Sequence, residues 1–287
     1  MAPAELRLVI ICPDRTGIIA RVSGFISNLG GSISESSQYS DPVSGMFFMR
    51  YVIGAGSLPF GAAGLREAFR PTAEEYRMTW HVTDTARPNR VVLLVSKLEH
   101  CLTDLLYRWK SGDLAFDIPC VISNHEDMRA LVEWHGIPYH CLPVPADPER
   151  KQQAFEATAE LIRASEPDTI VLARYMQVLP QWLCREYEHR VINIHHSFLP
   201  SFAGARPYHQ AFERGVKLTG ATCHYVTEEL DAGPIIDQDV IRISHHDEID
   251  TIVRLGKDVE RNVLARGLRY HLEDRVLVHG NKTVVFA

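Results

Sequence analysis

Five short apolar runs constrain this chain more than any other feature: residues 91–95, 118–123, 139–144, 169–173 and 191–194. Most are rich in β-branched side chains, and they lack the alternation of a strand with one wet face. Helical stretches separate them, with Leu102, Leu105, Leu106 and Trp109 at helical spacing in the first. Near-continuous hydrophobic strands joined by helical crossovers predict a parallel sheet covered on both faces. Further on, residues 222–226 and 235–243 read as strands. Residues 247–272 read as a long helix, with Ile249, Ile252, Val253, Leu255 and Val259 on its apolar positions.

The chain before this alternation follows a different rule. Residues 1–85 carry eight acids and seven arginines, no lysine, and one of the 14 histidines, His81. A polar segment, Thr85-Ala86-Arg87-Pro88-Asn89-Arg90, marks the break, so two domains are predicted, 1–85 and 86–287. The first reads as βαββαβ. Leu6, Leu8 and Ile10 alternate along a strand. Pro13-Asp14-Arg15-Thr16-Gly17 turns the chain, with Asp14 as expected N-cap. A helix follows through Ile18, Val22, Phe25, Ile26 and Leu29 and stops at Gly30-Gly31. Runs 33–39 and 46–53 flank the hairpin signal Asp41-Pro42-Val43-Ser44-Gly45, and 65–76 and 78–82 supply the second helix and last strand. That order predicts one ferredoxin-like sheet with both helices on one face. Run 46–53 is apolar on both sides (Phe47, Met49 and Tyr51; Phe48 and Val52), which predicts a sheet covered on both sides.

Charge and cysteine usage narrow the function classes. A formal charge of −6 gives no basic surplus for phosphate backbones, so no nucleic-acid partner is expected. No run approaches the roughly 18 apolar residues of a membrane span, and the N-terminal segment, acidic at Glu5, does not read as a signal peptide. The six cysteines lie at least 19 residues apart, which fits reduced thiols in a cytoplasmic protein. Cys12, at a strand end, is the one expected to be most exposed.

In a doubly wound sheet, ligands bind beyond the carboxyl ends of the strands. There the chain places Ser96–His100, Ser123-Asn124-His125, Arg174-Tyr175-Met176-Gln177 and Asn193-Ile194-His195-His196-Ser197. Residues i and i+2 of a strand share a face, so Asn193 and His195 project together, an amide and an imidazole able to hold an oxyanion. Asp231, in the Glu229–Pro234 loop, is the carboxylate that either orients His195 or takes a proton from water. Equally, a strand-end histidine packs or caps, and an Asp before a small residue forms a turn. His125 either lines the pocket or caps the next helix, and Arg206 and His209 either meet an anionic ligand tail or sit in a solvated loop. No metal site is expected. His195-His196 and Cys223-His224 are adjacent pairs that point to opposite strand faces, and His125-Glu126-Asp127-Met128-Arg129 lacks the second histidine of a zinc helix.

Three ordered motifs go further: Asn193-Ile194-His195-His196-Ser197-Phe198-Leu199-Pro200, Gly220-Ala221-Thr222-Cys223-His224-Tyr225-Val226 and Leu230-Asp231-Ala232-Gly233-Pro234-Ile235-Ile236-Asp237-Gln238. Together they resemble the folate-dependent formyltransferase family over roughly residues 88–287. The resemblance implies a Rossmann-like domain, an α/β fold with a mostly parallel sheet, and a catalytic trio of Asn193, His195 and Asp231 acting on 10-formyltetrahydrofolate. It also implies a pterin pocket at Arg174–Leu179, with Met176, Gln177, Val178 and Leu179, and at the loop from Thr227 through Leu230 to Gly233. The first domain resembles the ACT module, whose ligand-loop region matches Asp14–Ile18 and Asn28–Gly31. An amino-acid effector at Asp14, Gly17 and Asn28 is one reading of these residues; a cap and turn is the other. Sites of this kind form where two such sheets meet, so a homo-oligomer is expected.

An ACT module ahead of a formyltransferase-like domain is similar to the formyltetrahydrofolate deformylase family. That implies hydrolysis to tetrahydrofolate and formate, formate supply for purine synthesis, balanced one-carbon folate pools, and no required cofactor. Formyl transfer to a small amine or ribonucleotide, or a non-catalytic folate or amino-acid sensor, are the alternatives. Against transfer, the segment Ser96-Lys97-Leu98-Glu99-His100-Cys101 has no glycine to bring backbone amides to an acceptor's phosphate. All three of Asn193, His195 and Asp231 stand together in the chain, which a sensor does not require.

Overall fold

A computed structural model describes residues 4–201 and 207–287 as two compact units. The first unit is Met1–Pro88 together with Glu273–His279 and Val284–Ala287. It holds β1 (Glu5–Pro13), α1 (Ile18–Asn28), β2 (Ile33–Asp41), β3 (Met46–Gly54), a 3₁₀ turn (Ala55–Ser57), α2 (Ala62–Glu75) and β4 (Thr79–Asp84). The sheet is antiparallel in the order β2-β3-β1-β4. Leu6, Leu8, Ile10 and Cys12 point to one face, where Ile18, Val22 and Ile26 of α1 and Leu65 and Phe69 of α2 meet them. Those helical positions recur every four residues, so each helix presents one apolar stripe.

The other sheet face is covered too, by residues from far along the chain. Val9 and Phe48 pack with Leu277, Val284 and Phe286. These last lie on β13 (Val276–His279), β14 (Lys282–Val285) and the segment after it. The division at residue 86 is therefore corrected at its far end. The C-terminal strands bury their apolar side chains on the first sheet, which local sequence could not reveal. Cys12 is also corrected: it is fully buried in this core, and burial pushes its thiol up to about 11. Cys141 is the half-buried cysteine. Asp14 does not cap α1. Gly17 occupies that position at φ 95°, and no side chain caps the helix.

The second unit is Asn89–Leu272 with Gly280–Thr283. Its elements are β5 (Asn89–Val95), α3 (His100–Ser111), β6 (Phe116–Asp117), β7 (Val121–Ser123), α4 (Arg129–Trp134), β8 (Tyr139–Cys141), α5 (Pro148–Ala164), β9 (Thr169–Leu172), α6 (Gln181–Glu186), β10 (Val191–His195), α7 (Pro207–Arg214), β11 (Leu218–Tyr225), β12 (Ile235–Arg242) and α8 (Ile249–Leu272). The main sheet runs β12-β11-β10-β9-β5-β7-β8. Strands β10, β9, β5, β7 and β8 are parallel; β11 and β12 close one edge antiparallel. Val91 to Val95 are all inaccessible to solvent, as expected for a strand covered on both faces. The order reverses at β5, with β9 on one side and β7 on the other. A crevice is expected beyond those carboxyl ends.

Candidate active site

A cavity of about 280 Å³ lies against β10, between the segments that follow β9 and β10 and the loop that follows β11. Leu172, Leu179, Cys184 and Val226 give it an apolar floor, and Met176, Val178 and Leu230 stand exposed at its rim. Ser96, at the end of β5, shapes one wall. Its N–H donates to the Arg174 carbonyl at 3.2 Å, its Oγ accepts the Met176 N–H at 2.9 Å, and its hydroxyl donates to Asn124 at 2.6 Å. These bonds hold Arg174 at φ 66°, a left-handed conformation costing about 1–2 kcal/mol for a side chain with a Cβ. The opposite wall is the loop after β11, where Thr227 donates to the Glu229 carbonyl at 3.0 Å. This loop ends with Asp231 at φ 55°.

Asn193 and His195 share a strand face, and β11 supplies the partner that their chemistry needs. Antiparallel register sets Asn193 opposite His224, and the Asn193 amide lies 3.1 Å from His224 Nε2. His224 Nδ1 lies 2.9 Å from the Tyr225 carbonyl, which only accepts, so Nδ1 carries the proton and Nε2 is the acceptor. Burial pushes the His224 pKa down and keeps this neutral tautomer. One Asn193 N–H is thus committed to His224, and the other remains to donate elsewhere. Asp231 Oδ1 sits 3.3 Å from His195 Nδ1 and 4.0 Å from His224 Nε2. His195 Nε2 is buried and has no hydrogen-bond partner among the described residues. Two polar pairs, Asn193–His224 and Asp231–His195, therefore stand side by side along the cavity wall.

The second histidine of the pair is separated by its surroundings. Burial, aided by the Arg174 charge, pulls His196 down to about 3, so its ring is neutral and unsuited to proton transfer near neutral pH. Its ring meets Tyr208 edge-on at 5.9 Å. The following turn is fixed by Thr222, which donates to the Ser197 carbonyl at 2.9 Å and accepts the Leu199 N–H at 3.0 Å. Gln238 reaches Thr222 at 2.9 Å and the Leu199 carbonyl at 3.0 Å. The three sequence motifs thus converge on one strand end.

Of the expected pocket residues, Met176, Gln177, Val178, Leu179, Thr227 and Leu230 line this cavity. Gly233 does not; it lies behind the loop, where a Cβ would come 1.8 Å from the Tyr225 carbonyl. Its lack of a side chain is what lets the Asp231 loop close on β11. His125 neither lines the cavity nor caps a helix, since Met128 holds the cap of α4. Instead its backbone N–H donates to Ser123 and its carbonyl accepts from Tyr139. His209 is exposed on α7, away from the cavity lining, and Arg206 falls outside the described residues. In the first unit, Asp14 and Gly17 line a cavity of about 730 Å³, whereas Asn28, at the far end of α1, does not. Arg174, expected in the pocket segment, lines the cavity, and Ser96 stands at its expected strand end, whereas His224 was missed as a functional residue. The signal available for His224 was its register opposite Asn193.

Residues 89–268 match the family described as Formyl transferase, and residues 6–59 match the ACT domain. A formyltetrahydrofolate deformylase of Bacillus subtilis is 47% identical over 285 residues, covering 98% of this chain and 93% of that one. The crystal structure of a formyltetrahydrofolate deformylase from Pseudomonas syringae pv. tomato superimposes with a TM-score of 0.98 at 62% identity, covering 100% of this chain and 96% of the other. A glycinamide ribonucleotide transformylase from Symbiobacterium toebii matches at TM-score 0.65 and 27% identity, covering 71% of this chain and 97% of its own. Likeness over nearly the whole length, rather than over a transferase-sized part alone, decides the placement. The chain belongs to the formyltetrahydrofolate deformylase family.

Proposed function

We propose that the chain hydrolyses 10-formyltetrahydrofolate to tetrahydrofolate and formate, as a hydrolase acting on a carbon–nitrogen bond. The Asn193–His224 and Asp231–His195 pairs, side by side on the cavity wall, carry this reading. A flat pterin lies over Leu172, Leu179 and Val226, and the rest of the folate passes the exposed rim of Met176, Val178 and Leu230. Asp231 accepts a proton from water as the water oxygen attacks the formyl carbon. The remaining Asn193 N–H and the Nε2–H of protonated His195 hold the oxyanion that forms. The carbon–nitrogen bond then breaks, and the folate nitrogen receives the proton through Asp231, His195 or water. Water is the nucleophile and the leaving amine takes the proton, so no cofactor enters the scheme.

The same reading extends to the first unit, in which the Asp14–Gly17 turn beside Ser40 and Phe47 takes a small amino-acid effector. The working form is a homo-oligomer joined through this module. The enzyme acts in the cytoplasm, where its formate feeds purine synthesis and its turnover balances one-carbon folates. Incubation of the full chain with 10-formyltetrahydrofolate tests the central statement. Formate appears without any added amine, and Asp231→Asn abolishes most of it; formyl incorporation only into an added acceptor contradicts it.

A further inference from the structure

Two cavities of the second unit each have a lining residue in contact with one buried carboxylate, Glu260. The catalytic cavity has Arg174 and His196 on its wall. A second cavity, of about 350 Å³, opens among Lys97, Arg254, Lys257 and Arg261, with Glu99 and Asp258 as counter-charges and His100 on its wall. Glu260 joins the two linings and is itself 1% exposed. Its Oε2 lies 2.8 Å from His100 Nε2 and 3.2 Å from Arg174 Nε, and its Oε1 accepts the Tyr208 hydroxyl at 2.6 Å. Burial alone would raise this carboxyl; the His100 hydrogen bond and the Arg174 charge more than offset it and hold the group ionised. Tyr208 gets this close to α8 because residue 256 is glycine, where a Cβ would come 2.2 Å from its ring. The contacts continue from Tyr208 to His196 at 5.9 Å and from His196 to His195 at 5.2 Å between ring centroids.

A buried ion-pair cluster is weak evidence of a stabilising role. Apolar side chains of equal volume commonly stabilise a core at least as well as a buried ion pair. His100, Cys101 and Glu260 bring ligand atoms within 4.8 Å of one another. Yet both Glu260 oxygens already face proton donors, the His100 ring and the Tyr208 hydroxyl.

We propose that Glu260, with His100, Arg174 and Tyr208, is the partition that restricts the nucleophile to water, by separating the catalytic carbon from amines in the cation-lined cavity. The proposal rests on the hydrolytic reading and names what enforces it. With the wall open, an anionic primary amine enters from the cationic side and its nitrogen attacks the formyl carbon. The carbon–nitrogen bond to the folate breaks, the amine loses a proton, the folate nitrogen gains one, and a formamide forms instead of formate.

The test supplies 10-formyltetrahydrofolate and phosphoethanolamine to the full chain and to Glu260→Ala, Glu260→Gln and His100→Ala, and measures formate and formyl-phosphoethanolamine together. The unaltered chain and Glu260→Gln, which keeps the wall's shape, give formate. Glu260→Ala and His100→Ala raise the share of formyl groups captured by the amine by about tenfold or more. A partition ratio in these two equal to that of the unaltered chain overturns the proposal. So does amine capture by the unaltered chain. If Glu260→Ala does not fold, His100→Ala decides alone, since it removes the outer side of the wall and leaves the Arg174–Glu260 pair. A chain that releases no formate without amine defeats the hydrolytic reading itself, and the partition with it. Formate release with unchanged partition defeats only the partition.

Discussion

The larger cavity is the poorer in chemistry. The first unit's cavity, about 730 Å³, is built on the exposed turn Asp14–Gly17, and the second unit's catalytic cavity measures about 280 Å³. Around the smaller one, His195, His196, His224 and Arg174 are buried and Asp231 is nearly so. Buried polar groups interact in a low dielectric and hold fixed orientations, whereas exposed ones exchange freely with water. Volume reports where a ligand fits, and desolvated donors and acceptors report where a reaction is catalysed.

Substitutions in each region sharpen that contrast. Asp231→Asn removes the proton acceptor and lowers formate release by about 10²–10⁴-fold. Asn193→Ala and His195→Ala each remove an oxyanion donor and cost about 10²–10³-fold in kcat, while folate binding measured by fluorescence titration persists. His224→Leu touches no substrate in this scheme but leaves the Asn193 amide without its anchor. A loss of about 1–3 kcal/mol, read as a fall in kcat with little change in KM, is expected. Gly17→Ala forces a Cβ onto a backbone at φ 95° and destabilises the first unit by about 1–3 kcal/mol in urea unfolding. At the small end, Asp14→Ala changes effector-free formate release and stability by less than about 0.5 kcal/mol. A large loss there would break the division between the two cavities.

His196 makes the contrast pH-dependent. Its ring titrates near 6.5 in the unfolded chain and near 3 when folded, so the unfolded state binds more protons between those values. Its contribution to stability is complete above about 6.5 and disappears as pH falls towards 3. Urea midpoints measured across that window fall with acidification, and His196→Phe flattens the slope by about one proton.

How much of this was legible in the chain depends on distance along it. Leu6, Leu8 and Ile10 announce β1 because period-2 alternation is local, and the Val91–Val95 run announces a covered strand for the same reason. Asn193 and His195 were readable as a pair because i and i+2 share a strand face. Asp231 was a candidate from its loop, and the motif resemblance tied it to the pair. Glu260 was invisible: it is one polar residue on a long helix, and its partners His100, Arg174 and Tyr208 lie 52 to 160 residues away or on separate elements. The same non-locality hid Leu277 and Phe286, whose packing against Val9 and Phe48 draws the C-terminal segment into the first unit. His125 was misplaced because a strand-end position does not say which way the loop turns. Here its carbonyl is taken by Tyr139.

The most direct test follows the oxygen. Turnover of 10-formyltetrahydrofolate in oxygen-labelled water, without amine, yields formate carrying one solvent oxygen at the rate tetrahydrofolate appears, and Asp231→Asn removes both together. Unlabelled formate, or an Asp231→Asn chain that turns over at the full rate, contradicts a solvent nucleophile activated by that carboxylate.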